Sequence, residues 1–64
     1  MCESKVFVRK GGKKEMVMEE AVHIAVDGRN ILARDIMGNV KEIKGLIKEI
    51  NIDKHEVLIE AWGK

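Results

Sequence analysis

Residues 40–50 read VKEIKGLIKEI, and whether they form a helix or a strand decides the fold of the chain. The apolar residues Ile36, Val40, Ile43, Ile47 and Ile50 are spaced four, three, four and three apart, which is typical of an amphipathic helix. Gly38 and Gly45 oppose a helix, because glycine costs about 1 kcal/mol relative to alanine inside one. The apolar alternation that runs on to Ile52, with Lys48 as its exception, favours a strand in which Gly45 marks a bulge or sharp bend. We therefore predict a strand and keep the helix as the alternative.

The rest of the chain alternates between short apolar segments and tight-turn signals. The turn signals are Gly11-Gly12, Asp27-Gly28, Gly38-Asn39 and Asp53-Lys54. The segments between them are rich in Val and Ile at alternate positions, as in a strand whose Val22, Ile24 and Val26 share one face. Five strands are predicted, at roughly 4–10, 15–26, 30–37, 40–52 and 56–62. We predict an all-β fold: one domain, residues 1–64, forming a small five-stranded antiparallel barrel of the SH3 or Sm-like kind.

Composition excludes several classes of protein. Twelve Lys and Arg against eleven Asp and Glu leave a net charge of +1, unlike the strongly basic balance of a dedicated nucleic-acid binder. No apolar run approaches the roughly 18 residues needed to cross a bilayer, and no signal peptide is visible. A single cysteine without an export signal predicts a cytoplasmic protein. The short chain predicts a homodimer, because one small core without a disulfide is marginally stable.

The only cysteine, Cys2, stands directly after Met1 and outside any apolar run. Aminopeptidases remove an initiator methionine when the next side chain is small, which would leave a thiol and a free α-amine on one residue. The sulfur, this amine and the amide nitrogen of Glu3 favour square-planar Ni(II) or Cu(II). A second Cys2 from a two-fold-related partner would complete a four-donor set. Taken alone, the residues favour an incidental surface or interface thiol over a metal ligand.

Three segments resemble the CooT family of small nickel-binding proteins. The opening MCESKVFV is similar to the MC-x-[AS]-K-V start of that family. MEEAVHIAVDGRNILARDIMGN resembles its second and third strands, and KEIKGLIKEINIDKHEVLIE its closing hairpin. The resemblance implies homodimeric small β-barrels whose namesake is a nickel chaperone for carbon monoxide dehydrogenase, with nickel binding dependent on Cys2. Family members have also been labelled predicted RNA-binding proteins.

The remaining candidate residues favour structural roles. We expect His23 and His55 to be solvated rather than metal ligands, since no His-rich or Cys-x-x-Cys motif accompanies them. The carboxylates Glu15, Glu19, Glu20 and Asp35 are interpreted as solvated charge, because no nucleophile or catalytic motif accompanies them. The methionines Met16, Met18 and Met37 are predicted to fill the core. We therefore predict that the protein is not an enzyme.

The prediction for function is a metallochaperone or nickel reserve that binds Ni²⁺ through Cys2 and Glu3. Its expected partners are a second copy of the chain and, as client, a nickel enzyme, whereas neither a membrane nor a nucleic acid is expected. One alternative is a small RNA-binding barrel that uses the cations Arg9, Lys10, Lys13 and Lys14 around one turn. Only Phe7 and Trp62 could stack on bases, which weakens that alternative. The other alternative is an interaction module with an incidental cysteine.

Overall fold

A computed structural model describes residues 3–61 of the chain. The strands are β1 (Ser4–Lys10), β2 (Lys13–Asp27), β3 (Asn30–Asp35), β4 (Val40–Asn51) and β5 (Glu56–Ala61). VKEIKGLIKEI is therefore a strand, and the residues described contain no helix. It follows that no helix in this range is long and apolar enough to span a membrane.

The five strands close into a barrel in the order β1-β2-β3-β4-β5. Consecutive strands are antiparallel, and β5 pairs with β1 in parallel, with Lys5 beside Glu56 and Phe7 beside Leu58. An odd number of strands requires this closure, because the first and fifth strands of an antiparallel series run in the same direction. The predicted all-β barrel is confirmed, and the parallel closing pair is a feature that the prediction did not contain.

The strand β4 bends between two neighbours. Val40 to Lys44 pair with β3, and Gly45 to Asn51 pair with β5. The change of pairing partner occurs at Gly45, which is buried. Its N–H donates a hydrogen bond to the carbonyl oxygen of Arg29 at 2.9 Å. The register shift falls between Ile47 and Glu49, so the bulge is at Lys48, the residue that breaks the alternation. Gly45 thus marks the bend rather than the bulge.

The strand β3 is shorter than the predicted 30–37. The carboxylate of Asp35 accepts hydrogen bonds from the Met37 N–H at 3.0 Å and the Asn39 N–H at 2.8 Å. Its second oxygen accepts one from the Asn39 side-chain amide at 3.1 Å. These bonds fold residues 36–39 into a turn, because a short Asp side chain competes with the next strand for backbone N–H groups. The other predicted bounds agree to within two residues, except that Trp62 lies outside the described residues.

The core is aliphatic and comes from all five strands. Its buried members are Val6, Met18, Ala21, Ile31, Ala33, Ile43, Val57 and Ile59. Of the three methionines predicted to fill the core, Met18 does so. The prediction is wrong for Met16 and Met37, whose side chains are 48% and 79% exposed. Met37 is exposed because the Asp35 turn ends β3 before it, and Met16 because it pairs with the outward-facing Phe7.

A bulge also divides the apolar face predicted for β2. The register shifts between Ala21 and His23, so that β2 has one more residue than β3 at this point. Ala21 is buried and Ile24 packs against the core, whereas Val22 and Val26 are about half exposed. The predicted common face of Val22, Ile24 and Val26 is therefore interrupted at Val22, because Ile24 and Val26 pair with the buried Ala33 and Ile31 only after the extra residue.

An ion pair on the outer surface makes the stability of the barrel depend on pH. Arg9 Nη2 lies 3.0 Å from Glu60 Oε1, and Lys48 Nζ lies 3.7 Å from the same oxygen. The hydrogen bond from Arg9 and its charge hold the pKa of Glu60 below its usual 4.5, with a smaller contribution from Lys48. A carboxyl whose pKa is lowered by folding stabilises the folded state above its unfolded pKa, and this stabilisation is lost as the pH falls through the folded value.

We therefore expect Glu60→Gln to lower the thermal midpoint at pH 7, because the neutral amide forfeits the charge attraction of Arg9. The difference from the parent protein should shrink as the pH falls below 4.5 and disappear once Glu60 itself is protonated. Circular dichroism melts at a series of pH values measure both effects. If the difference in thermal midpoint between the two proteins stays unchanged in acid, the charge of Glu60 is not its cause.

Candidate metal centre at the amino-terminal end of the barrel

The start of β1 lies at one end of the barrel beside the middle of β2 and the end of β3. Ser4 pairs with Ala21, and Ala21 pairs on its other side with Asp35. Glu3 precedes Ser4 and is exposed. Cys2, the predicted metal ligand, lies outside the described residues. Glu3 is its neighbour in the sequence and is the first residue that the structure describes.

A surface depression beside Glu3 brings charged residues together from three separate parts of the chain. It is lined by Glu3 and Lys5 from the amino-terminal segment, Glu19 and Glu20 from β2, and Lys54 and His55 from the turn before β5. Glu19 and Glu20 lie two residues and one residue before Ala21, the partner of Ser4, which explains their presence. The three glutamates are metal-binding or cation-attracting groups, and the two lysines partly offset their charge.

The turn that carries His55 is attached to β1. The N–H of Lys5 donates to the carbonyl oxygen of His55 at 2.9 Å, and the N–H of His55 donates to the carbonyl of Ile52 at 3.3 Å. His55 has a φ of 56°, the left-handed conformation that closes the turn into β5. In this way the parallel pairing of β5 with β1 sets an imidazole beside Glu3, although 52 positions separate them in the sequence.

The two histidines, which the sequence analysis treats alike, lie in different surroundings. Both are exposed, as predicted. His23 is on β2, where it pairs with Arg34, and it does not line the depression. His55 does line it. Imidazole is a good ligand for nickel, copper and zinc, so His55 is a functional candidate that the sequence analysis assigned to solvent.

The depression is not a complete chelate. Among residues 3–61, no group of three His, Asp or Glu side chains converges on a point that could hold a metal ion. A tightly held ion at this end would therefore need donors from outside that range. Cys2 could supply a thiolate, and the backbone nitrogen of Glu3 is next to it in the chain. These soft and strong-field donors match the preferences of Ni(II) in a way that carboxylates alone would not.

The other carboxylates singled out in the sequence have different surroundings. Glu15 is exposed on β2 beside Val8 of β1, away from Glu3. Partial loss of hydration raises the pKa of Asp35, but hydrogen bonds from Asn39, Met37 and Gly38 outweigh it and hold the pKa below 3.8. Asp35 is thus an ionised turn-forming residue. It and Glu19 also border a second open groove with Val17 and Val40.

The side chains that a nucleic acid would use are partly engaged within the chain. The ammonium of Lys14 lies 4.7 Å from the ring centroid of Phe7, a cation–π contact on one face of this ring. Arg9 is paired with Glu60. Trp62, the other aromatic residue considered for base stacking, lies outside the described residues. Lys10, Lys13 and Lys14 are all exposed at the basic turn, and the last of them is engaged with the ring of Phe7.

An apolar row crosses three strands on the outside of the barrel. Phe7 of β1 pairs with Met16 of β2 on one side and with Leu58 of β5 on the other. Phe7 and Leu58 are half-buried, and Met16 is 48% exposed. Along β1 and β5 the row is flanked by charged neighbours, with Arg9 beside Glu60 on one side. An apolar centre with a charged border is the usual composition of a protein–protein interface.

Comparison with known proteins identifies relatives over nearly the whole chain. The model of the family described as CO dehydrogenase accessory protein CooT matches residues 1–60. A crystal structure assigned to CooT from Carboxydothermus hydrogenoformans superposes with a TM-score of 0.84 at 30% sequence identity. The match covers 95% of this chain and 98% of that one. Both the fold and the amino-terminal segment are therefore shared.

Three uncharacterized proteins are also similar to this chain. An uncharacterized protein from Methanothermobacter thermautotrophicus is 37% identical over 61 residues, which is 95% of this chain and 91% of that protein. Uncharacterized proteins from Archaeoglobus fulgidus and Methanocaldococcus jannaschii are 33% and 35% identical, over 69% and 73% of this chain and 98% and 82% of their own. The descriptions of these three relatives state no activity, so function is inferred from the family and from the candidate site.

Proposed function

The chain belongs to the CooT family of CO dehydrogenase accessory proteins, and from this premise we propose that it is a nickel-binding accessory protein rather than an enzyme. Its role would be that of a metallochaperone or nickel reserve, with a nickel enzyme as client. The observation that carries the proposal is the family match from residue 1, which includes Cys2 and Glu3. A cytoplasmic location is part of the proposal, because an unpaired thiol stays reduced there.

The proposed ligands are the Cys2 thiolate and the backbone nitrogen of Glu3. Removal of Met1 would add the α-amine of Cys2 and close a five-membered ring with the sulfur. Thiolate and nitrogen donors favour a planar four-coordinate Ni(II) centre. A single Cys2–Glu3 segment offers at most three such donors, so two copies sharing one ion would complete the set from their two Cys2 residues.

We propose a homodimer that forms through the row Met16–Phe7–Leu58. This row is apolar, lies outside the barrel core and has charged borders. It also includes β1, the strand that begins two residues after Cys2, so pairing through it would bring both amino-terminal segments to one interface. A two-fold contact of this kind uses the same patch on each subunit, which suits a self-complementary apolar row.

The dimer predicts a clear effect of Met16→Glu. The side chain is half exposed in the monomer, so the barrel should still fold, but a carboxylate at an apolar interface costs roughly 2 kcal/mol or more. In sedimentation at micromolar concentration, the parent protein should have twice the subunit mass of 7.2 kDa, and the variant should be monomeric. Met37→Glu, at a 79% exposed position outside the row, is the matched control and should remain dimeric. A monomeric parent protein would refute the shared site.

Nickel titration of the protein with its native amino terminus tests the proposed function. We expect sulfur-to-nickel charge-transfer absorption that saturates at one ion per dimer. Saturation at one ion per subunit would indicate separate sites in the two copies. If no charge-transfer band appears at any nickel concentration, the protein does not hold nickel through its thiol, and the proposal fails.

A further inference from the structure

We propose that a groove along the first half of β2 binds a short extended segment of a partner protein, with an acidic residue at one end, apolar residues in its middle and a basic residue at the other end. This β2 groove consists of the open groove beside Val40 and a neighbouring depression beside Val8, and the two meet at Val17. Such binding needs neither nickel nor Cys2, so it stands or falls separately from the proposed function.

The first half of β2 has one strand partner instead of two. The ring of strands is closed, but β2 is 15 residues long and uses different halves for its two neighbours. It pairs with β1 over Lys13–Ala21, and its pairing with β3 begins only at Ala21. Among residues 3–61, no strand pairs with the other edge of this first half. An extended peptide can add a strand at such an edge, because its backbone forms the missing hydrogen bonds.

The lining of the β2 groove is apolar where the two depressions meet. The register with β1 shifts between Met16 and Met18, which leaves Val17 as the extra residue of a bulge. Val8 and Val17 are half-buried and pack against the core, and Val40, which also lines the groove, is 58% exposed. An apolar lining that reaches the core and is open to solvent suits the apolar side chains of a partner.

The two ends of the β2 groove differ in net charge. Lys10, Lys13 and one glutamate line the end beside the turn between β1 and β2. Glu19 and Asp35 outnumber Lys41 at the other end. From Lys13 to Glu19 the strand spans at most about 20 Å, at roughly 3.3 Å per residue, so a segment of about six residues fills the groove. Charge complementarity places the acidic residue of that segment at the lysine end and its basic residue at the glutamate end.

A second copy of the chain fits this edge less well than a short segment does. Two copies that paired β2 with β2 about a two-fold axis would match their charged ends. However, Val17 lies near the centre of the half that pairs only with β1, which runs from Lys13 to Glu20. The two bulges would meet in the middle of the new ladder and interrupt its hydrogen bonds. A short segment can instead pair with the edge on one side of Val17 and place an apolar side chain beside it.

Peptide titration followed by NMR tests the β2 groove, with the full chain and no added nickel. The probes are the capped hexapeptide Glu-Val-Thr-Val-Thr-Lys and its reversal, since the charged ends leave the backbone direction open. We expect at least one probe to bind with a Kd of tens to hundreds of micromolar, as a segment that becomes ordered on binding does. The amide signals of β2 from Lys13 to Glu19 and of Val40 should shift. No shift with either probe at millimolar concentration, or shifts confined to other residues, would overturn the proposal.

Val40→Glu and Val26→Glu are a matched pair of variants for the apolar lining. The two valines are 58% and 57% exposed, and both lie on strands, but only Val40 lines the groove. Val40→Glu should weaken binding of the probe by about tenfold or more, because it sets a carboxylate against apolar side chains. Val26→Glu should bind as the parent protein does. Equal loss in the two variants would overturn the site. A fall in sedimentation mass caused by Val40→Glu alone would show that a second copy occupies the groove, which also overturns the proposal.

Lys13→Glu tests the charge at one end of the groove. We expect it to weaken binding of the probe by about threefold to tenfold, and a probe with lysine in place of its acidic residue should recover the loss. Lys44→Glu, at an exposed position of β4 outside the groove, is the control and should leave binding unchanged. If both substitutions weaken binding equally, the net charge of the protein attracts the probe, and the proposed match of charged ends is wrong.

Discussion

Cys2→Ser is expected to abolish the sulfur-to-nickel absorption bands and to weaken nickel binding by about 100-fold or more, roughly 2.7 kcal/mol. The reason is that a serine hydroxyl remains protonated near neutral pH and is a hard, poor donor, whereas a thiolate is a soft and strong one. Binding to the parent protein should also weaken as the medium becomes acidic, since protons compete for the thiolate and nitrogen donors. Absorption titration and calorimetry measure both effects.

His23→Ala is the control for this prediction, because it removes an exposed imidazole away from Glu3 and should leave nickel affinity unchanged. An amino-terminal tag that retains Met1 is a second comparison. It converts the α-amine of Cys2 into an amide, which loses its proton far less readily, so nickel should bind more weakly or with different geometry. If Cys2→Ser binds nickel as tightly as the parent protein, the Cys2 thiolate is not a nickel ligand. The RNA-binding barrel and the interaction module would then be the favoured functions.

Gly45→Ala is expected to give the largest loss of stability of any conservative substitution in the barrel, about 3 kcal/mol or more. A methyl group on Gly45 would collide with the carbonyl oxygen of Glu60 and lie 2.9 Å from the Cα of Ala61. Both obstacles are backbone atoms of β5, which cannot move without breaking the pairing of β4 with β5. A chain of this size has roughly 3–10 kcal/mol of total stability, so the variant should be largely unfolded or close to it.

Gly28→Ala is the matched glycine control. Gly28 has a φ of 63°, and no atom lies within 4 Å of the position that an added methyl would occupy. Only the conformational cost remains, about 1–2 kcal/mol. Urea unfolding followed by circular dichroism measures both variants. If Gly45→Ala lowers the free energy of unfolding by no more than Gly28→Ala does, the close approach of β4 and β5 at Gly45 does not require a glycine.

Much of the fold could be predicted from local pattern. Turn residues such as Asp27-Gly28 separate the strands, and all five strands are observed within two residues of their predicted bounds where the structure describes them. The period of residues 40–50 favoured a helix and a strand almost equally. Tertiary pairing decides between them, since one half of β4 completes the ladder of β3 and the other half that of β5. A helix there would leave both ladders open.

Exposure was predicted less well than strand position, because local alternation does not show where a bulge or a turn begins. Met37 has the spacing of a core residue, but the Asp35 carboxylate bonds the backbone N–H groups that would continue β3. Val22 follows an apolar alternation that the extra residue in β2 interrupts. In the first case a hydrogen-bonded turn ends the strand, and in the second an inserted residue changes which side of the sheet the side chain occupies.

The sequence by itself determined where the turns lie, which segments outside residues 40–50 are strands, and that the one thiol stands next to Glu3 at the family's characteristic opening. Only the tertiary structure decided which residues surround that opening. Parallel pairing of β1 with β5 brings His55 to Lys5 across 50 positions of sequence. The periodicity of apolar residues within a strand indicates which of its faces is buried, but not which strand lies beside it. Strand pairing depends on contacts between distant segments, which form only when the barrel closes around its common core.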